Sequence, residues 1–197
     1  MDTKHDHDRL KLSTKIGYGA GDIFGGGAFT IIGLFYLYFL TDVVRIRPSL
    51  AGIVFLVSKI WDAVSDPLMG IISDRTRSRF GRRRVYFLAG IGLIAVSFFA
   101  MWFPVDFDAE LARFVYIVVA YLFFSTIITM VMVPFTALAS ELTGDYHERT
   151  SLAMFRMVFS GVAGILCAAL PLEIVNLFED QRTGYIVMGL GFGLVPE

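Results

Sequence analysis

Asp62 and Asp66 stand one helical turn apart, with Lys59 one turn before them, in a stretch that is otherwise apolar. It reads SLAGIVFLVSKIWDAVSDPLMGIIS, Ser49–Ser73. An ionisable group at bilayer depth costs about 2.5–3.5 kcal/mol on insertion scales, so two acids on one helical face call for compensation. A bound cation is one source of it. Lys59 is the other, as a structural salt bridge with Asp62 or Asp66, of which Asp62 lies at i, i+3. Pro67 follows at once and has no N–H, which leaves the carbonyl of Ala63 without its helical partner. That spare oxygen lies close to both carboxylates and suits a cation.

The elements that must carry these groups are membrane helices. The chain is 56% hydrophobic and only 18% charged, too apolar for a soluble domain. Apolar runs at Ile23–Thr41, Ser49–Ser73, Val85–Val105, Phe114–Ser140 and Thr150–Asn176 each approach or exceed the roughly 20 residues that span a bilayer. A sixth opens at Gly184 and stops at Val195. The expectation is an all-α membrane protein with five spans and the start of a sixth. Residues 1–15 form a polar N-terminal tail, and residues 16–197 form a bundle cut within its sixth helix. No low-complexity tract or soluble domain is visible.

Charge orients the bundle. Arg75, Arg77, Arg79, Arg82, Arg83 and Arg84 crowd the second connection, whereas the next carries Asp106, Asp108, Glu110 and Arg113. The positive-inside rule makes the arginine loop and the N-terminus cytoplasmic, against a small opposing bias from Arg45 and Arg47. The polar start gives no cleavable signal peptide. Cys167 is the single cysteine and excludes an internal disulfide framework. His5 and His7 beside Asp6 and Asp8 read as a solvated tail rather than a metal site, and nothing suggests nucleic acid as a partner.

Other polar residues are placed by spacing. Gly17, Gly21 and Gly25 form a small-residue ridge for close helix packing. Tyr18 and Asp22 share a face near the start of span one. Ser125 and Thr129 lie one turn apart in span four, where Pro134 marks a kink. Arg156, two turns into span five, must face a cavity or a carboxylate rather than lipid. Glu173 belongs near the far interface.

The loop GIISDRTRSRFGRRR, Gly70–Arg84, resembles the cytoplasmic signature of the major facilitator superfamily. With KIGYGAGD (Lys15–Asp22), WDAVSDP (Trp61–Pro67), VPFTALASEL (Val133–Leu142) and ERTSLAMFR (Glu148–Arg156) in order, the chain is similar to the glycoside–pentoside–hexuronide:cation symporters, the family of the melibiose permease. The resemblance runs from Lys11 to Leu194. It implies a twelve-helix transporter in two halves, of which this chain is the N-terminal one, with a missing six-helix partner half. It implies a bacterial inner-membrane location, uptake of a small solute, a sugar or glycoside, driven by Na⁺ or H⁺, and no other cofactor or metal.

Carried over by position, the cation site falls on Asp62, Ser65, Asp66 and Thr129, and Arg156 faces the solute. The loop residues Gly70, Asp74, Arg75, Arg79, Gly81, Arg82 and Arg83 form one gate, with a plain topology anchor as the alternative. Asp22 takes either a substrate or gate role or a structural role at a helix end. Tyr18 and Trp61 either stack on a sugar face or pack. The family's two sugar-binding aspartates correspond here to Gly26 and Met132, neither of which accepts a hydroxyl hydrogen from its side chain. That departure keeps a non-sugar solute open, as does the reading of the chain as a non-transporting membrane fragment or scaffold. Gly19-Ala20-Gly21-Asp22 matches the G-x-G-D of intramembrane aspartyl proteases, but an enzyme explains neither the arginine loop nor Arg156.

Overall fold

The computed structural model describes residues 10–79, 83–176 and 181–193, and every regular element among them is helical. In chain order these are α1 (Leu12–Ala20), α2 (Ile23–Ile31), α3 (Pro48–Arg75), α4 (Arg84–Trp102), α5 (Glu110–Leu142), α6 (Tyr146–Asn176) and α7 (Gln181–Gly193). The chain thus forms an all-α membrane bundle. Helices α3 to α6 each contain a segment long and apolar enough to cross a bilayer.

The first expected span is composite. α1 opens at Leu12, inside the stretch read from sequence as a polar tail, and stops at Gly21–Asp22. α2 then continues as helix to Val43, widening into π turns at Ile32–Tyr36 and Phe39–Val43. Such turns rotate the residues after them relative to a regular helix, and Tyr36, Phe39, Leu40 and Val43 all end up buried. Arg45 closes this helix with a left-handed backbone, φ 61°, and the Ile46 N–H returns to the Leu40 carbonyl.

Local chemistry sets the other boundaries. Pro48 begins α3 where its missing N–H is no loss. The Asp145 carboxylate accepts from the N–H groups of His147 and Glu148 and caps α6. α2 packs along α6, α3 along α5, and α4 lies between α5 and α7. The core sits toward the end remote from the arginine loop. There Tyr36, Phe39, Trp102 and Tyr185 are almost wholly buried, and the Trp102 and Tyr185 rings stack at 5.8 Å. This aromatic block holds α7 against α2 and α4, and leaves the middle of the α3–α5 pair to polar groups.

Candidate functional site

α3 and α5 meet through a ladder of side-chain hydrogen bonds. Ser125 Oγ donates to Asp62 Oδ1, and one turn on Thr129 Oγ1 donates to Asp66 Oδ1 at 2.8 Å. The match follows from sequence spacing, because acids four apart on one helix face hydroxyls four apart on the next. Lys59 Nζ donates to the second oxygen of Asp62 at 3.0 Å, so the ion pair expected from spacing is present. Trp61 Nε1 donates to Thr126 Oγ1 at 2.9 Å, on the flank of the ladder.

These groups open on a cavity of about 410 Å³. Ser58, Lys59, Asp62 and Asp66 come from α3, Tyr121, Ser125, Thr129 and Thr136 from α5, and Arg156 from α6. Apolar contributions from Phe29, Phe124, Ile128, Met132 and Val133 complete the wall. The Ser58 side chain is buried, and its Oγ makes no hydrogen bond within normal geometry. An oxygen-rich wall with two carboxylates and several hydroxyls is the donor set that a hard cation prefers.

Arg156 joins this cavity to a second one of about 720 Å³ between α2 and α6, which Asp22, Thr30 and Ser160 also line. Its Nε donates to Asp22 Oδ2 at 3.0 Å, and the Tyr18 hydroxyl lies beside the same guanidinium. Asp22 occupies the cap position of α2 but makes no side-chain cap bond. Its buried carboxylate is turned instead toward Arg156. Arg156 thus faces both a cavity and a carboxylate, that of Asp22, whose position at a helix end and pairing with Arg156 coexist.

The remaining expected site residues lie elsewhere. Ser65 Oγ is buried without a partner and is not on the wall of the Asp62–Asp66 cavity. Tyr18 stacks on Phe135 at 4.8 Å and borders a separate apolar hollow. Trp61 is half-exposed and lines neither polar cavity. Gly26 is at the α2–α6 contact, where a Cβ would come within 2.6 Å of the Ser160 carbonyl oxygen, so no side chain fits there. Of the small-residue ridge, Gly21 and Gly25 meet Phe135 and Met132, while Gly17 faces open space.

At the arginine-loop end, Arg83 is buried and bridges two helix ends. It lies 3.2 Å from Asp74 on α3 and 3.4 Å from Glu141 on α5. Arg75 and Arg79 are exposed, Gly70 has open space around it, and Gly81 and Arg82 lie outside the described residues. A second tie joins α1 to α6 through Lys15, which pairs with Glu148 at 2.8 Å and donates to Ser151. Sequence reasoning did not assign roles to Ser58, Tyr121, Ser125 or Glu141. The four-residue spacing of Ser125 and Thr129, equal to that of Asp62 and Asp66, was the available signal for Ser125.

The chain is also similar to known proteins. A family model described as MFS/sugar transport protein matches residues 17–195. An uncharacterized symporter of Synechocystis is 44% identical over 180 residues, covering 88% of this chain and 33% of that protein. A protein of Escherichia coli provisionally named as a glycoside/cation symporter, YagG, is 34% identical over 191 residues, covering 92% of this chain and 41% of its own length. Sodium-dependent lysophosphatidylcholine symporter 1 of Gallus gallus is 27% identical over 174 residues, covering 88% and 33%. The chain thus spans a third to about two-fifths of the length of these relatives.

Proposed function

Because the chain belongs to the MFS/sugar transport protein family, we propose that it forms part of a secondary transporter that couples entry of Na⁺ or H⁺ to uptake of a small solute. The observation that carries this reading is the paired Asp62–Ser125 and Asp66–Thr129 contacts across α3 and α5, in a cavity that also reaches Arg156. Cation enters first between the two acids, neutralising charge that is otherwise expensive at membrane depth. In doing so it ties α3 to α5. Solute then binds beside Arg156, and the bundle rocks against a second one supplied by a longer polypeptide. Ser65, whose Oγ lies buried off the cavity wall, would have to turn toward the two acids to serve as a further ligand.

The Asp74–Arg83–Glu141 bridge closes the cytoplasmic side in this scheme, with the N-terminus on that side and the protein in a bacterial inner membrane. Opening inward requires Arg83 to leave at least one acid. The solute is a sugar or glycoside: the Arg156–Asp22 pair offers both a donor and an acceptor to hydroxyl groups. A second reading, an amphiphilic non-sugar solute, is favoured by Met132 on the cavity wall and by the absence of room for a side chain at Gly26. The named cargo of the lysophosphatidylcholine symporters is of that kind.

Uptake into vesicles tests the scheme, using a panel of glycosides and hexuronides beside a lysophospholipid, under an imposed Na⁺ gradient, a pH gradient or neither. Asp66→Asn is expected to abolish gradient-driven accumulation while sparing downhill exchange. Wild-type accumulation by that variant sinks the cation site. Accumulation of the lipid and of no sugar moves the assignment to the second reading.

A further inference from the structure

The charged groups around the cavity divide unevenly, and Lys59 is the reason. On α3 the cavity wall carries Lys59, Asp62 and Asp66; α5 contributes hydroxyls and the Tyr121 phenol; α6 contributes Arg156, with Asp22 behind it from the start of α2. Two positive groups stand against three negative ones, leaving a single negative charge. Asp22 and Arg156 neutralise each other at 3.0 Å, and Lys59 neutralises Asp62 at 3.0 Å. Asp66 is left with the neutral hydroxyl of Thr129.

Resting on the cation-site reading above, we infer that Lys59 is a tethered counter-cation: it occupies the Asp62 arm while the cavity holds no ion, and yields that arm when a monovalent cation enters. Two features make it displaceable rather than structural. Lys59 lines the same polar cavity as both acids, so its ammonium can turn away from Asp62 without leaving that cavity. Asp62 keeps a second partner in Ser125, so its orientation survives the departure of the lysine. With Lys59 in place the uncompensated charge matches one monovalent ion. Without it the cavity holds two uncompensated carboxylates.

The test is sodium binding by the purified chain in lipid nanodiscs, by equilibrium dialysis with radioactive sodium, for wild type, Lys59→Met, Lys59→Arg and Asp66→Asn. Lys59→Met is expected to bind sodium about fivefold more tightly, because its tethered competitor is gone. Lys59→Arg should behave as wild type. Unchanged or weaker binding in Lys59→Met, with binding still lost in Asp66→Asn, overturns the counter-cation and leaves the site standing. Absence of any Asp66-dependent sodium binding in the wild-type chain overturns the cation-site reading itself. Circular dichroism of each variant checks that the helices persist.

Discussion

Two helix pairs dominate the bundle, and they are joined by opposite means. α2, with the end of α1 before it, meets α6 through close approach: Gly19 on α1 and Gly26 and Gly27 on α2 bring the helices so close that a Cβ would strike Phe155 and Phe159, Ser160 and Cys167 respectively. α3 meets α5 through side-chain polar pairs, Asp62 with Ser125, Trp61 with Thr126 and Asp66 with Thr129. The first contact is set by van der Waals packing, which has one good solution. The second is set by hydrogen bonds whose partners can be exchanged for an ion. One seam holds the frame while the other responds to cargo. Arg156 belongs to both, since it sits on α6 and lines the cavity at the α3–α5 seam.

The largest effect is expected where the rigid seam is broken. Gly26→Val places atoms against the Ser160 carbonyl oxygen and Cα, which are backbone and cannot swing aside. Overpacking of this kind typically costs about 1–3 kcal/mol and more where backbone must move. The variant should lose most of its folded monomer on size exclusion in detergent, with no rescue by Ser160→Ala. Gly17→Ala is the control: it meets nothing within 4 Å and should leave the melting temperature unchanged or slightly raised. Equal loss in both variants would remove the distinction between a packed glycine and a merely small one.

This contrast also marks how far the sequence could be read. The membrane helices, the acid pair and the Lys59–Asp62 contact follow from apolar run length and i, i+3 spacing, both local properties. That Arg156 faces a cavity or a carboxylate was legible, but the identity of the carboxylate was not. Which acid lies across from it depends on how α6 crosses α2, and that is fixed by glycines whose roles look alike in sequence. Of the glycines at four-residue spacing, Gly21 and Gly25 meet neighbours and Gly17 does not, whereas Gly26 and Gly27 outside that register carry the tight contact with α6. The same crossing decides Tyr18, which the sequence leaves open between stacking on a sugar face and packing, and which lies against Phe135 beside the guanidinium.

A smaller effect should appear where the two seams communicate. Asp22→Asn keeps the shape of the partner but leaves Arg156 with a net positive charge on the cavity wall. Removing one member of a buried pair costs about 3–5 kcal/mol, and less here because Arg156 is 34% exposed. That charge also repels an incoming cation, so sodium affinity should fall by about tenfold at the effective dielectric of such sites. Asp22→Asn combined with Arg156→Gln should restore affinity, because the cavity regains its net charge. Failure of the double variant to recover would show that the seams are coupled by geometry and not by charge.

The smallest expected effect probes the responsive seam on its own. Trp61 gives one neutral hydrogen bond to Thr126 and is 43% exposed, so Trp61→Phe forfeits about 0.5–1.5 kcal/mol at most. On a rigid seam that loss would appear as a lowered melting temperature and nothing else. On a seam that cargo resets, the Trp61–Thr126 bond helps hold α3 and α5 together whether or not an ion is present. Its loss should then widen the difference in melting temperature between sodium-loaded and sodium-free protein. Thermal unfolding of Trp61→Phe at zero and saturating sodium reads this directly, since a ligand that binds the folded state raises its stability by an amount set by affinity and concentration. An increment from sodium equal to that of wild type would mean that the Asp62 and Asp66 pairs respond alone, and that the flank of the ladder is as fixed as the glycine seam.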